Sequence, residues 1–248
     1  NKRGQNQEES NWANKKLSQF DISETSDAYE CRPILEMFCP DLLIVDHYAL
    51  GTRWHTELAD MCSKLMVIDD LANRFHSCDI LLDQTFGRTN KDYFDRVPER
   101  CKLLCGSRYA LLRPEFAKLR DYSLTRRQKP SLNNLLISMG GIDKDNITTE
   151  ILEALKNSTL PYNCCITVVM GAKSPWIEKV KATAQKLNWQ TEILVAVDDM
   201  ATLFAESDLA IGAAGATTWE RCYLGLPTIL LTLADNQISL IYENFDLE

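Results

Sequence analysis

The sequence predicts an α/β protein of two tandem Rossmann-like domains, and three observations carry that reading. Short apolar runs recur along the chain in the form expected of parallel strands. Stretches of helical period separate them. Polar or glycine positions follow the runs, where the ligand-facing loops of open parallel sheets begin.

The first domain is expected over residues 1–115. Pro40-Asp41 leads into Leu42-Leu43-Ile44-Val45-Asp46, a continuous apolar run expected of a strand covered on both faces. Thr52 to Cys62 has helical spacing, with Trp54, Leu58 and Met61 on one stripe. Lys64 to Asp70 repeats the strand pattern, and Ser77 to Asp83 and Lys102 to Gly106 read as further strands. Between Arg113 and Lys129 lie six basic residues against two acidic ones, with no apolar period, closed by Pro130. Residues 116–130 are therefore expected to be a domain linker. The alternation restarts in a second domain over 131–248. Strands are expected at Asn134 to Ser138, Cys165 to Met170, Glu192 to Val195, Leu209 to Gly212 and Pro227 to Leu231. Helices are expected at Asn146 to Asn157, Ser174 to Asn188, Asp199 to Glu206 and Ala216 to Leu224.

Composition excludes several classes. With 45% hydrophobic and 25% charged residues in 248, the chain is neither disordered, collagenous nor coiled coil. A net charge of −8 argues against a general affinity for nucleic acid or anionic membrane. No apolar stretch approaches the roughly 20 residues that span a bilayer. Nine cysteines are an odd count, include no Cys-x-x-Cys, and have only His47, His55 and His76 as imidazole company, so neither a disulfide framework nor a structural zinc is expected. Most cysteines read as small core residues of a cytoplasmic protein. The first thirty residues are polar and carry no signal-peptide pattern. The chain starts without a methionine and stops in a helical pattern, so it is expected to be incomplete at both ends.

Ser138-Met139-Gly140-Gly141 follows a strand, where glycines let a backbone approach a ligand and turn amides toward an anion; a plain tight turn is the alternative. Gly212-Ala213-Ala214-Gly215-Ala216-Thr217-Thr218 places small residues between a strand and a helix, with two hydroxyls beside the amides. That arrangement suits a phosphate or diphosphate. It is neither a Walker loop nor a Gly-x-Gly-x-x-Gly fingerprint. Glu220, one turn into the helix, can accept two ribose hydroxyls or simply stabilise the helix start. Asp235-Asn236-Gln237 follows the last strand, with Asn236 and Gln237 as amide partners for sugar or phosphate, or as a helix cap. In the first half, Asp46-His47-Tyr48 ends a strand. Neighbouring strand residues point to opposite faces, so Asp46 cannot orient His47 directly. His47 is a candidate base, and Tyr48 a group that orients substrate or water. Asp69-Asp70 and Asp83-Gln84 end adjacent strands and can hold a divalent metal or make structural hydrogen bonds; the structural reading is preferred.

Together these residues resemble the UDP-2,4-diacetamido-2,4,6-trideoxy-β-L-altropyranose hydrolase (PseG) family, the nucleotide-sugar hydrolases of pseudaminic acid biosynthesis. The resemblance covers nearly the whole chain. It rests on Val45-Asp46-His47-Tyr48, Ile68-Asp69-Asp70-Leu71-Ala72, Leu82-Asp83-Gln84, Arg108 to Phe116, Ser138-Met139-Gly140-Gly141, Trp219-Glu220-Arg221 and Asp235-Asn236-Gln237. The second-domain pattern is also similar to the lipid-linked N-acetylglucosaminyltransferases of peptidoglycan synthesis.

The resemblance implies a glycosyltransferase-B-like fold and a bacterial enzyme, cytoplasmic and monomeric, that needs no cofactor or metal. It implies attack of water on the anomeric carbon of a UDP-sugar, with inversion and departure of UDP. On that pattern the backbone at Met139, Gly140, Gly141, Met170 and Gly171 lies against uracil or phosphate. Gly215, Ala216, Thr217 and Thr218 take the diphosphate and Glu220 the ribose. Asn236 and Gln237 take the diphosphate or sugar, and Tyr48 orients the sugar or the water. The family's catalytic histidine belongs to a glycine-histidine loop near the amino terminus, and no such segment precedes residue 40. The chain is therefore expected either to use His47 or to bind UDP-sugar without cleaving it. A glycosyltransferase acting on a UDP-sugar is the alternative from the transferase class.

Overall fold

The computed structural model describes residues 23–232. The chain divides between Leu111 and Leu112 into two compact units, each built on its own sheet.

In the first unit, helix α1 (Glu24–Phe38) precedes β1 (Leu42–Val45), α2 (Thr52–Glu57), β2 (Lys64–Ile68), β3 (Ile80–Asp83) and β4 (Lys102–Cys105). The four strands pair in parallel in chain order, β1-β2-β3-β4. Helix α1 was not legible in the sequence: about half of its residues are polar and Pro33 lies inside it. Tertiary contacts form it nevertheless. Ala28 is buried with Leu35 and Cys31 against Val45, Trp54 and Leu58. Glu24 Oε2 accepts the amides of Gly51 (3.3 Å) and Trp54 (2.9 Å), so α1 caps the start of α2. The helix expected over Thr52 to Cys62 stops at Glu57 and continues only as a 3₁₀ turn, Ala59–Met61.

Strand β1 also corrects an expectation. It is not covered on both faces: Leu43 and Val45 face the core, whereas Leu42 and Ile44 are exposed. Among the described strands β1 stands at the edge of the order β1-β2-β3-β4, and none of the described core residues packs on Leu42 or Ile44. Burial on both faces belongs instead to β3, where Leu81, Leu82 and Asp83 are all buried.

The second unit runs α3 (Pro114–Arg126), β5 (Asn134–Ser138), α4 (Ile147–Leu155), β6 (Cys165–Met170), α5 (Ile177–Ala184), β7 (Thr191–Val195), α6 (Met200–Glu206), β8 (Leu209–Ala213), α7 (Thr217–Tyr223) and β9 (Thr228–Leu231). Its five strands are parallel in the doubly wound order β7-β6-β5-β8-β9. Central β5 is buried on both faces. Leu135 and Ile137 enter one cluster with Leu152, Ile166 and Val168, while Leu136 enters the other with Phe116, Phe204 and Ala210.

The linker expected at 116–130 is, as far as Arg126, helix α3, and it belongs to the core of the second unit. Its Phe116 is fully buried, and Ser123 Oγ donates to Leu224 O at 2.7 Å. The basic residues that suggested a linker satisfy helix ends. Arg127 donates to the carbonyls of Phe204 (2.8 Å) and Ser207 (2.9 Å) at the end of α6, and Arg120 donates to Tyr223 O at the end of α7. Their spacing follows those carbonyls and not a helical period of their own.

All nine cysteines are free thiols. The core reading holds for Cys78, Cys105 and Cys164, whereas Cys39 and Cys222 are exposed. Among the described residues no helix is long and apolar enough to cross a membrane, and no three His, Cys, Asp or Glu side chains are grouped to hold a metal ion.

Candidate functional site

In the second sheet the chain runs outward from β5 to β7, then returns to β8 on the other side of β5. Ligands of open parallel sheets bind outside the carboxyl ends of the strands at such a switch point. The register pairs Ser138 with Gly212, so the loops after β5 and β8 leave the sheet side by side. These are the two small-residue loops singled out in the sequence.

After β5, Met139 is buried, while Gly140, Gly141 and Ile142 are exposed. The loop is held from below by Asp143, buried, whose carboxylate accepts the amides of Ile147 (2.9 Å) and Thr148 (3.0 Å) at the start of α4. Met170 ends β6 in the core, and Gly171 follows it. A Cβ on Gly171 would overlap the carbonyl of Gly141, so only glycine lets these backbones pass. Met139 and Met170 thus contribute core side chains, and only their backbone reaches the rim.

After β8, Gly215, Ala216 and Thr217 are exposed. The loop is a closed turn. Thr218 N donates to Gly215 O (2.9 Å) and Gly215 N donates to Thr218 Oγ1 (3.2 Å). Helix α7 has seven residues, so the loop amides and hydroxyls carry more of any anion recognition than a long helix dipole would. Glu220 is half-buried, with its Oε1 3.5 Å from Arg113 Nε. Burial pushes its carboxyl up and outweighs the pull of Arg113 in the other direction. Arg221, absent from the sequence-derived site, is 1% exposed beneath the same loop. Asn236 and Gln237 lie outside the described residues.

The carboxyl edge of the first sheet is built differently. Asp69 and Asp83, after β2 and at the end of β3, are buried, and the Tyr93 hydroxyl lies 2.8 Å from Oδ2 of each. Arg74 pairs with Asp69 Oδ1 at 2.7 Å, and Arg88 Nε lies 2.6 Å from Asp83 Oδ2. The amides of Ala72 and Thr85 fill further acceptor sites at 2.9 Å each. Burial raises the Asp69 carboxyl, but His76 and Arg74 outweigh it and hold it below the usual range. Two carboxylates meet two guanidinium groups, so their charges compensate, although Arg74 Nε, Arg88 Nε and nitrogens of His55 and His76 find no hydrogen-bond partner among the described residues. Of the readings for Asp69 and Asp83, this geometry is the structural one. His55 and His76 stack beside it at 5.5 Å, both buried. Burial, and after it the neighbouring His76 and Arg74, push the His55 imidazole down to about 3.

His47 Nδ1 accepts the amide of Ala49 at 3.2 Å. Tyr48 donates its hydroxyl to Asp70 Oδ2 at 2.9 Å. Burial and the Asp70 charge push its phenol well up, so its hydroxyl stands as a protonated donor to Asp70 and not as a base. Sequence reasoning missed Tyr93, Arg74 and Arg88. A Tyr ten residues after a strand-end Asp carries no signal until the fold brings them together.

Comparison with known proteins adds the following. Residues 134–245 match the Glycosyltransferase family 28 C-terminal domain. The chain is 27% identical over 219 residues to an uncharacterized protein of Methanocaldococcus jannaschii, covering 86% of this chain and 44% of that protein. It is 29% identical over 206 residues to the UDP-2,4-diacetamido-2,4,6-trideoxy-beta-L-altropyranose hydrolase of Campylobacter jejuni, covering 83% and 70%. It is 30% identical over 133 residues to the spore coat polysaccharide biosynthesis protein SpsG of Bacillus subtilis, covering 53% and 38%. The chain thus spans less than half the length of two of these relatives. Among solved structures, MurG of Acinetobacter baumannii is similar with a TM-score of 0.53 at 16% identity, over 85% of this chain and 58% of that one. That likeness shows the fold, two parallel-sheet α/β units of the glycosyltransferase-B type.

Proposed function

We propose that this chain acts on a UDP-linked sugar, with the second unit holding UDP at the β5/β8 switch point. The observation that carries this is the pairing of Ser138 with Gly212, which sets two exposed small-residue loops at the edge where open parallel sheets bind ligands. The match of residues 134–245 to a glycosyltransferase domain supports the same placement. In this reading the exposed backbone of Gly140 and Gly141 contacts the nucleotide. Gly215, Ala216, Thr217 and Thr218 surround the diphosphate, and Glu220 accepts the ribose hydroxyls. Preorganised donors at the diphosphate stabilise the charge that develops on departing UDP.

For the reaction we favour hydrolysis. Water adds to the anomeric carbon with inversion, the C–O bond to the diphosphate breaks, and the free sugar and UDP leave. The 29% identity to a hydrolase of that class, over 70% of its length, supports it, with a 2,4-diacetamido-2,4,6-trideoxy sugar as substrate. Tyr48 orients the sugar or the water. Transfer of the sugar to an acceptor is the second reading, favoured by the glycosyltransferase match over 134–245. Phosphorus NMR of the chain with the UDP-sugar, beside a calorimetric titration with UDP alone, separates the outcomes. UDP release in water alone supports hydrolysis. Release only with an added acceptor replaces it by transfer, and absence of UDP binding refutes the nucleotide site.

A further inference from the structure

Arg221 is a side chain the proposed reaction leaves unexplained. It lies on α7, yet its guanidinium turns back under the loop, where Nη2 donates to Ala213 O (2.8 Å) and to Thr218 Oγ1 (3.2 Å). The residue is 1% exposed and its Nε has no hydrogen-bond partner among the described residues. No carboxylate among the described residues pairs with it, although Arg74, Arg88, Arg113 and Arg126 all have one. An arginine keeps its charge in proteins, and a buried charge without a counterion is costly. Room has been made for it: a Cβ on Gly212 would overlap Nη1 and press on Ser138 O.

Thr218 completes the argument. A hydroxyl offers one donor and two acceptor sites. Both acceptor sites are used, by Gly215 N at 3.2 Å and Arg221 Nη2 at 3.2 Å. What remains is the proton, which a cationic donor at the same oxygen polarises. We propose that Arg221 is the buried positioning residue of an anion site: it fixes Thr218 as an outward hydrogen-bond donor and supplies the positive charge that a ligand diphosphate neutralises. This rests on the UDP reading of the site and adds to it which residue recognises the charged portion of the nucleotide. Arg221 itself does not touch the ligand.

The test compares UDP with uridine, which lacks the phosphates, by titration calorimetry on the whole chain. Arg221→Gln removes the charge and keeps a donor, and it is expected to weaken UDP binding by roughly 10- to 100-fold while uridine changes by less than about threefold. Arg221→Lys retains the charge and is expected to keep more UDP affinity than Arg221→Gln. Thr218→Val is expected to lose UDP selectively as well, and the double variant to fall short of the product of the two single losses, because the two groups act in series. Equal losses of UDP and uridine, or independent effects in the double variant, would show that Arg221 only shapes the loop and would overturn the proposal. Should Arg221→Gln fail to fold by circular dichroism, Thr218→Val decides: unchanged UDP affinity overturns the proposal, and selective loss sustains it. If the unaltered chain binds no UDP, the reading of the site falls and this inference with it, an outcome distinct from the two above.

Discussion

The carboxyl edges of the two sheets hold similar residue types in opposite electrostatic states. After β2 and at the end of β3, every buried charge has its opposite: Asp69 with Arg74, Asp83 with Arg88, and Tyr93 between the two carboxylates. After β8, a buried Arg221 has two oxygens and no carboxylate among the described residues, and the loop above it is exposed. A buried charge with its opposite beside it is compensated within the fold, whereas a buried charge without one is costly and is relieved by an anion. This difference, rather than the number of polar residues at either edge, separates scaffold from candidate site.

Breaking the sealed edge is expected to give the largest effect. Asp83→Ala leaves Arg88 beside an emptied position and is expected to cost about 3 to 5 kcal/mol in urea unfolding. A loss below 1 kcal/mol would mean that the cluster is hydrated and not sealed. At the open edge, Glu220→Ala is expected to weaken UDP binding by about 1 to 3 kcal/mol, the cost of unpaired ribose hydroxyls, while leaving unfolding nearly unchanged. Unaltered affinity in calorimetry would remove Glu220 from the site. Tyr93→Phe is expected to cost about 1 to 3 kcal/mol of stability, since it withdraws one hydroxyl from two buried carboxylates, and to leave UDP affinity untouched.

A smaller effect sharpens the comparison through pH. The His55 imidazole is pushed down to about 3, by burial first and then by the neighbouring His76 and Arg74, so the unfolded chain binds a proton there that the folded chain refuses. Its contribution is complete above the ordinary value near 6.5 and is lost as pH falls toward 3, with a slope of up to about 1.4 kcal/mol per pH unit. Asp69, held low in the fold, adds a loss in the same direction only below about pH 4. Urea midpoints measured from pH 7 to 4 are expected to decline, and His55→Phe to flatten the decline above pH 4. An equal slope in that variant would assign the proton elsewhere. The smallest effect is expected at the surface, where Lys181→Ala breaks an exposed pair with Glu178 and changes stability by less than about 0.5 kcal/mol.

How much of this was legible varies by element. β5 over Asn134–Ser138 and β6 over Cys165–Met170 appear at the residues read from the sequence, because buried parallel strands must be continuously apolar and are bounded by polar turns. Helix α3 was not legible. Its period is masked by arginines whose partners are carbonyls 77 to 103 residues away, and no local pattern reports them. Helix α1 was hidden for a related reason, since its stabilising contacts are with Trp54 and the start of α2.

The sequence by itself determined the alternation of strands and helices, the parallel α/β class and the two small-residue loops, all of which follow from local periodicity and from glycine at close backbone approaches. The tertiary structure alone decided which strand lies beside β5, and with it that those loops share one edge. It alone decided that Asp69 and Asp83 find their counterions while Arg221 has no paired carboxylate among the described residues. Register and charge compensation are relations between residues far apart in the chain, and the energy of a buried charge depends on what surrounds it in space.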